Sequence, residues 1–177
     1  MSIQRFSTNP LLIDSAPLGR IRRNHGLEHA TLHVLARRFG HRPFAGHSDL
    51  GGFWIVGDVA TEELREAVQE ALQRLQHGER HLAIHPNCGT NFVTAGVLAG
   101  VAGASAMMGA KPGVRDKLER LPLAAVLATI ALIASQPLGM YLQANVTTSG
   151  EPGALQVVDI RPKMRGRLIA HRVTTQG

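Results

Sequence analysis

Cysteine is nearly missing from this chain: Cys88 is the single one in 177 residues. An intrachain disulfide is thereby excluded, and the thiol is left to be buried, reactive or a metal ligand. Aromatic residues are scarce, at 4%. The basic residues are not interleaved with them, which argues against nucleic acid as a partner despite a net charge of +6. That excess suits an anionic membrane surface instead. Charge is itself absent from two long stretches, Asn91 to Ala110 ("NFVTAGVLAGVAGASAMMGA") and Leu121 to Thr148. The N-terminus, "MSIQRFSTNPLLIDSAPLGRIRR", lacks an apolar run of leader length, so no cleavable signal peptide is expected.

Both uncharged runs reach the roughly 20 residues that a helix needs to cross a bilayer core. Only the short "KPGVRDKLER" separates them, so the expectation is a transmembrane hairpin over 91–148, the alternative being a buried hairpin of a soluble α protein. In the second run Gln136-Pro137 is expected to mark a kink. The first run is rich in Gly, Ala and Ser. Its Gly96, Gly100 and Gly103 form a face on which another helix could approach closely, in a membrane-protein partner or a homo-oligomer. Loop residues Lys111, Arg115, Lys117 and Arg120 compete for the cytoplasmic side with flanking Arg74, Arg80, Arg161, Lys163, Arg165 and Arg167. An N-terminal segment without an export signal favours the flanks. The expected location is the inner cell membrane, multi-pass, with both termini cytoplasmic.

Outside the hairpin, periodicity and breakers predict a helix from Leu18 to Arg38, stopped by Gly40. The Gly, Pro, His and Asp of "GHRPFAGHSDLGG" predict a loop, and "FWIVGDV" a strand from Phe53 to Val59. An amphipathic helix follows, with Leu64, Ala67, Val68, Ala71, Leu72 and Leu75 on one face and Thr61 as its cap. "HLAIHP" reads as a second strand, and "ALQVVDI" with "GRLIAHRVT" as a β-hairpin. The fold class expected is an α+β membrane protein. Residues 1–90 form a helix plus a strand–helix–strand surface domain, 91–148 the transmembrane hairpin, and 149–177 a β-hairpin packing on the N-terminal domain.

The chemistry concentrates in "NHGLEHATLH". His25 and His29, four residues apart, stack on one helix face and can share a metal ion. The order H-x-x-E-H is the inverted form of the zinc-protease helix, with Glu28 placed to take a proton from a water activated by the ion. Zinc is the metal that imidazole ligands suit. His33 lies roughly 12 Å along the axis from His25, too far for one ion to reach all three rings. A further ligand must come from elsewhere, and "HPNCGTN" offers His85 and Cys88. With both engaged the shell closes as a structural site; with one, a position stays open for catalysis. His41, His47, His77 and His81 read as surface or loop histidines. Arg22 and Arg23 read as lipid-headgroup contacts or plain solubility, and Glu62, Glu63, Glu66 and Glu70 as a solvated helix face.

"HGLEHAT" followed by "HPNCGTNF" and an apolar helix resembles the YqhQ-type family of predicted metal-dependent membrane enzymes, a domain of unknown function. The resemblance covers His25, Gly26, Glu28, His29, His85, Cys88, Gly89 and Thr90. Asn87 stands where that family usually has arginine and Ala30 where it has lysine, and the spacing between the motifs is longer. The resulting expectation is a membrane-anchored zinc-binding protein, a candidate metal-dependent hydrolase at the cytoplasmic face. The alternative is a non-enzymatic scaffold or assembly factor in which the same cluster is structural.

Overall fold

The first helix, α1 (Ala16–Phe39), is built around one apolar face: Leu27, Ala30, Val34 and Leu35 are fully buried. It ends where Gly40 takes a left-handed conformation (φ 58°) and donates its N–H to Ala36 O at 2.9 Å. Arg37 and Arg38 in its last turn suit the negative end of the helix dipole. The computed structural model describes residues 16–40, 42–111, 113–165 and 168–177. The expectations for the extreme N-terminus, His41 and Arg167 lie outside them, as does the Arg165 side chain.

The loop expected after α1 contains a strand. β1 (Ala45–Asp49) and β2 (Gly52–Val56) form a hairpin, its turn fixed by the Gly51 N–H on Asp49 Oδ1 at 2.7 Å. β1 is an exposed edge of low β propensity, Ala-Gly-His-Ser-Asp, so residue type gave no sign of it. β2 ends at Val56 rather than Val59. Gly57 follows at φ 155°, and a Cβ there would lie 2.4 Å from the Phe44 ring. The predicted C-terminal hairpin completes the sheet: β3 (Gln156–Arg165) and β4 (Leu168–Gln176) pair, β4 joins β2, and the order is β1-β2-β4-β3, antiparallel throughout. Phe53, Ile55, Val173 and Ile160 turn from the sheet into the core beneath the helices.

α2 (Thr61–Gln76) buries Leu64, Ala67, Val68, Ala71 and Leu75 in the same core. Its cap is Ala60, not Thr61: the Ala60 N–H bonds Glu63 Oε2 at 3.0 Å, while the Thr61 hydroxyl meets His171 Nε2 at 3.1 Å. The acidic face of α2 is partly paired. Glu70 bonds Arg38 at 2.8 Å and meets Arg37, and the Arg38 guanidinium holds its carboxyl below the usual range. "HLAIHP" is not a strand. Arg80–Ala83 is a short 3₁₀ turn, followed by extended Ile84, and its final carbonyls turn toward α1 rather than into a sheet ladder.

His171 is a buried histidine in this core, and burial lowers its pKa. Its Nδ1 meets no hydrogen-bond partner among the described residues. The unfolded chain therefore binds a proton that the folded chain refuses, and stability falls as pH drops below about 6.5. Thermal unfolding at pH 7.5 and 5.5 should show a larger loss for the wild type than for His171→Phe. Equal losses would acquit His171.

Two compact units divide the chain: residues up to His85 with those from Ala144, and Pro86–Gln143. The second holds α3 (Gly89–Met107) and α4 (Val114–Leu142), both long and apolar enough to cross a membrane. The described fold is thus mixed, with four helices and a four-stranded sheet. α3 and α4 pack together where Gly139 meets Asn91; a Cβ at Gly139 would lie 2.5 Å from Asn91 Oδ1. Arg120 closes the other end, donating to Met108 O at 2.7 Å and Gly109 O at 3.1 Å. Helix α4 runs through both Pro122 and Pro137. Gly96, Gly100 and Gly103 take no part in the α3–α4 contact, since nothing lies within 4 Å of a Cβ placed on any of them.

Candidate metal site

Gly26 determines how the site is assembled. The segment after α4 crosses α1 so closely that a Cβ at Gly26 would sit 2.0 Å from Ser149 O. The Ser149 N–H donates to Arg22 O at 2.9 Å, and Arg22 Nη2 donates to Asn145 O at 3.3 Å and Thr148 O at 3.2 Å. Arg22 and Arg23 read from the sequence as lipid-headgroup contacts or plain solubility. Both donate to backbone oxygens of the C-terminal segment, Arg23 reaching Gly177 O at 3.4 Å. This crossing brings Thr147 O to His25, whose Nδ1 donates to it at 2.9 Å. On the neighbouring flank the 3₁₀ turn presents Ala83 O to His29 Nδ1 at 2.8 Å and Ile84 O to His33 Nε2 at 2.8 Å.

A carbonyl oxygen only accepts, so each ring nitrogen facing one carries the proton. In the neutral ring the lone pair then falls on Nε2 of His25 and of His29, and on Nδ1 of His33. This is the arrangement in which metal-bound histidines occur: one nitrogen held by a carbonyl, which orients the ring, and the other left as ligand. The His25 and His29 rings are 4.4 Å apart, edge to face. His29 is 2% exposed. His85 stands farther along, 5.6 Å from His29 and 5.0 Å from His33. Burial, then the neighbouring His33, pushes the His85 pKa down and favours its neutral form.

Glu28, 4% exposed, packs its carboxylate against the backbone of β1 at Gly46. A Cβ on Gly46 would lie 2.2 Å from Glu28 Oε1, so the glycine makes room for the acid. Cys88 is buried at the N-cap of α3, three residues beyond His85, within about 10 Å along the chain. His25 and His29 belong to the first unit and Cys88 to the second, and all three side chains are of types that coordinate metal ions. The structure therefore groups His25 and His29 closely, and sets His85 beside His33. The carbonyls of Ala83, Ile84 and Thr147 escaped sequence reading because a backbone oxygen leaves no mark in residue type. Gly26 and Gly46 were the legible traces.

No solved structure matches the chain. An uncharacterized protein of Picosynechococcus sp. (strain ATCC 27264 / PCC 7002 / PR-6) is 38% identical over 139 residues, covering 73% of this chain and 66% of that protein. The chain thus spans just under two thirds of the curated relative it matches. The likeness to YqhQ-type proteins stays a likeness of two motifs, because the matching family is a different one. The matched region, residues 20–160, includes His25, Glu28, His29, His85 and Cys88. The chain belongs to the family described as "Domain of unknown function (DUF6391)".

Proposed function

We propose that this chain is a membrane-anchored zinc protein, with His25, His29 and Cys88 as ligands, acting as a metal-dependent hydrolase near the cytoplasmic membrane face. The observation that carries the reading is the pair of Nδ1–H bonds from His25 and His29 to backbone carbonyls. Those bonds present two Nε2 lone pairs from adjacent turns of one helix, and the second donor type, a thiolate, suits zinc equally. Three protein ligands leave a coordination position for water or substrate, as in catalytic rather than structural zinc sites. A bound zinc ion would supply Lewis acidity toward a water or a carbonyl.

The remaining roles belong to the chain. Thr147 O and Ala83 O hold the imidazole planes, and Gly26 lets the helix approach the strap that carries Thr147. Glu28, three residues after His25, is the general base. The two apolar helices anchor the unit in the bilayer, with both termini cytoplasmic. The Gly96, Gly100 and Gly103 face, unused by α4, is available to another helix.

The test is metal content after purification in detergent without chelator. One zinc per chain is expected, with cobalt replacement giving a thiolate charge-transfer band that Cys88→Ala abolishes. Chelation should lower the unfolding temperature, because an ion at a thousandfold its Kd stabilises by about 4 kcal/mol. A chain that binds no zinc refutes the reading; a shell with four protein ligands makes the site structural.

A further inference from the structure

We propose that His33 and His85 form a second, weaker transition-metal site, through which an ion is passed to His25 and His29. The proposal rests on the metal reading above. Its first support is spacing. Two imidazole nitrogens 2.0–2.1 Å from a tetrahedral ion place their ring centres about 5 Å apart. The His33 and His85 ring centres are 5.0 Å apart.

The second support is the hydrogen bond at His33. Its Nε2–H is donated to Ile84 O, so the lone pair of the neutral ring is on Nδ1. The carbonyl orients this ring as Ala83 O orients that of His29, and one short turn supplies both. Two carbonyls in succession, Ala83 and Ile84, thus fix two histidines in succession along α1.

The third support is the continuity of the rings, from half-buried His33 and His85 to buried His29. The four rings are stepped at 4.4 Å from His25 to His29, 5.6 Å to His85 and 5.0 Å to His33. His29 is buried, whereas His25, His85 and His33 are half-buried. His33 and His85 thus give an ion a partly exposed approach to the buried His29 ring from the side opposite His25. Two neutral imidazoles completed by water hold zinc more loosely than a set that includes a thiolate, so the ion moves inward down an affinity gradient. The exposed histidines differ: His77 is turned onto Gln73 O of its own helix, and His47 lies on the edge strand.

The experiment loads the metal-free full chain in detergent with zinc or cobalt, followed by equilibrium titration and stopped-flow absorbance. The wild type should take one tight ion and one weaker ion. His33→Ala should lose the weaker ion and slow loading of the tight one by about tenfold or more, with tight-site affinity unchanged. His85→Ala should do the same. Wild-type loading by His33→Ala with both ions retained overturns the entry site. Loss of the tight ion in His85→Ala also overturns it, because His85 is then a resident ligand. A wild type with no tight ion fails the metal reading itself, an outcome distinct from tight binding at an unchanged rate.

Discussion

Gly26→Ala is expected to lower the unfolding temperature by about 10 °C, or about 3 kcal/mol. The new Cβ would fall 2.0 Å from Ser149 O and 2.9 Å from Ser149 C, both backbone atoms. Relief by a side-chain rotation is therefore unavailable. The strap must move, yet the Ser149 N–H is bonded to Arg22 O, and Arg22 Nη2 to Asn145 O and Thr148 O. Moving it also draws Thr147 O away from His25 Nδ1, so metal affinity should fall along with stability. Gly100→Ala in α3 is the control: nothing lies within 4 Å of its Cβ, and a mid-helix alanine gains up to about 1 kcal/mol over glycine. Thermal unfolding of both variants in the same detergent decides. A Gly26→Ala loss no greater than that of Gly100→Ala would show that the crossing yields.

Legibility in the sequence followed the kind of signal each element carries. Helices α1 and α2 were readable because their apolar residues repeat at helical spacing and Gly40 and Gly78 punctuate them. The C-terminal hairpin was readable from alternation. β1 was not, since its five residues, Ala-Gly-His-Ser-Asp, have turn chemistry and become a strand only by pairing with β2. "HLAIHP" misled in the opposite sense: its Leu82 and Ala83 are buried, but its carbonyls serve histidines instead of a sheet. For the site, residue types were legible and geometry was not. That His25 and His29 share a helix face follows from spacing alone. Which nitrogen each presents depends on Thr147 O and Ala83 O, groups 122 and 54 residues away in sequence.

Glu28→Gln should leave the fold and the bound metal intact while lowering turnover by a factor of about 10²–10⁴, the range for removing a general base. The substitution is isosteric, so the amide occupies the same space against Gly46 that the 4%-exposed acid now fills. The ligands proposed for the ion are His25, His29 and Cys88, so the loss of a carboxylate charge removes none of them. The companion variant Gly46→Ala approaches the same residue from β1. Its Cβ would lie 2.2 Å from Glu28 Oε1 and 2.6 Å from Cδ, and the flexible acid must shift to admit it. Turnover should fall there too, with metal content unchanged, because the carboxylate is displaced rather than removed. The measurement is hydrolysis of a panel of membrane-presented peptides and esters by wild type and both variants at matched zinc content. Undiminished turnover by Glu28→Gln excludes Glu28 as the base. Joint loss of zinc and turnover would instead make it a ligand, and the two results separate a proton-transfer role from a coordinating one.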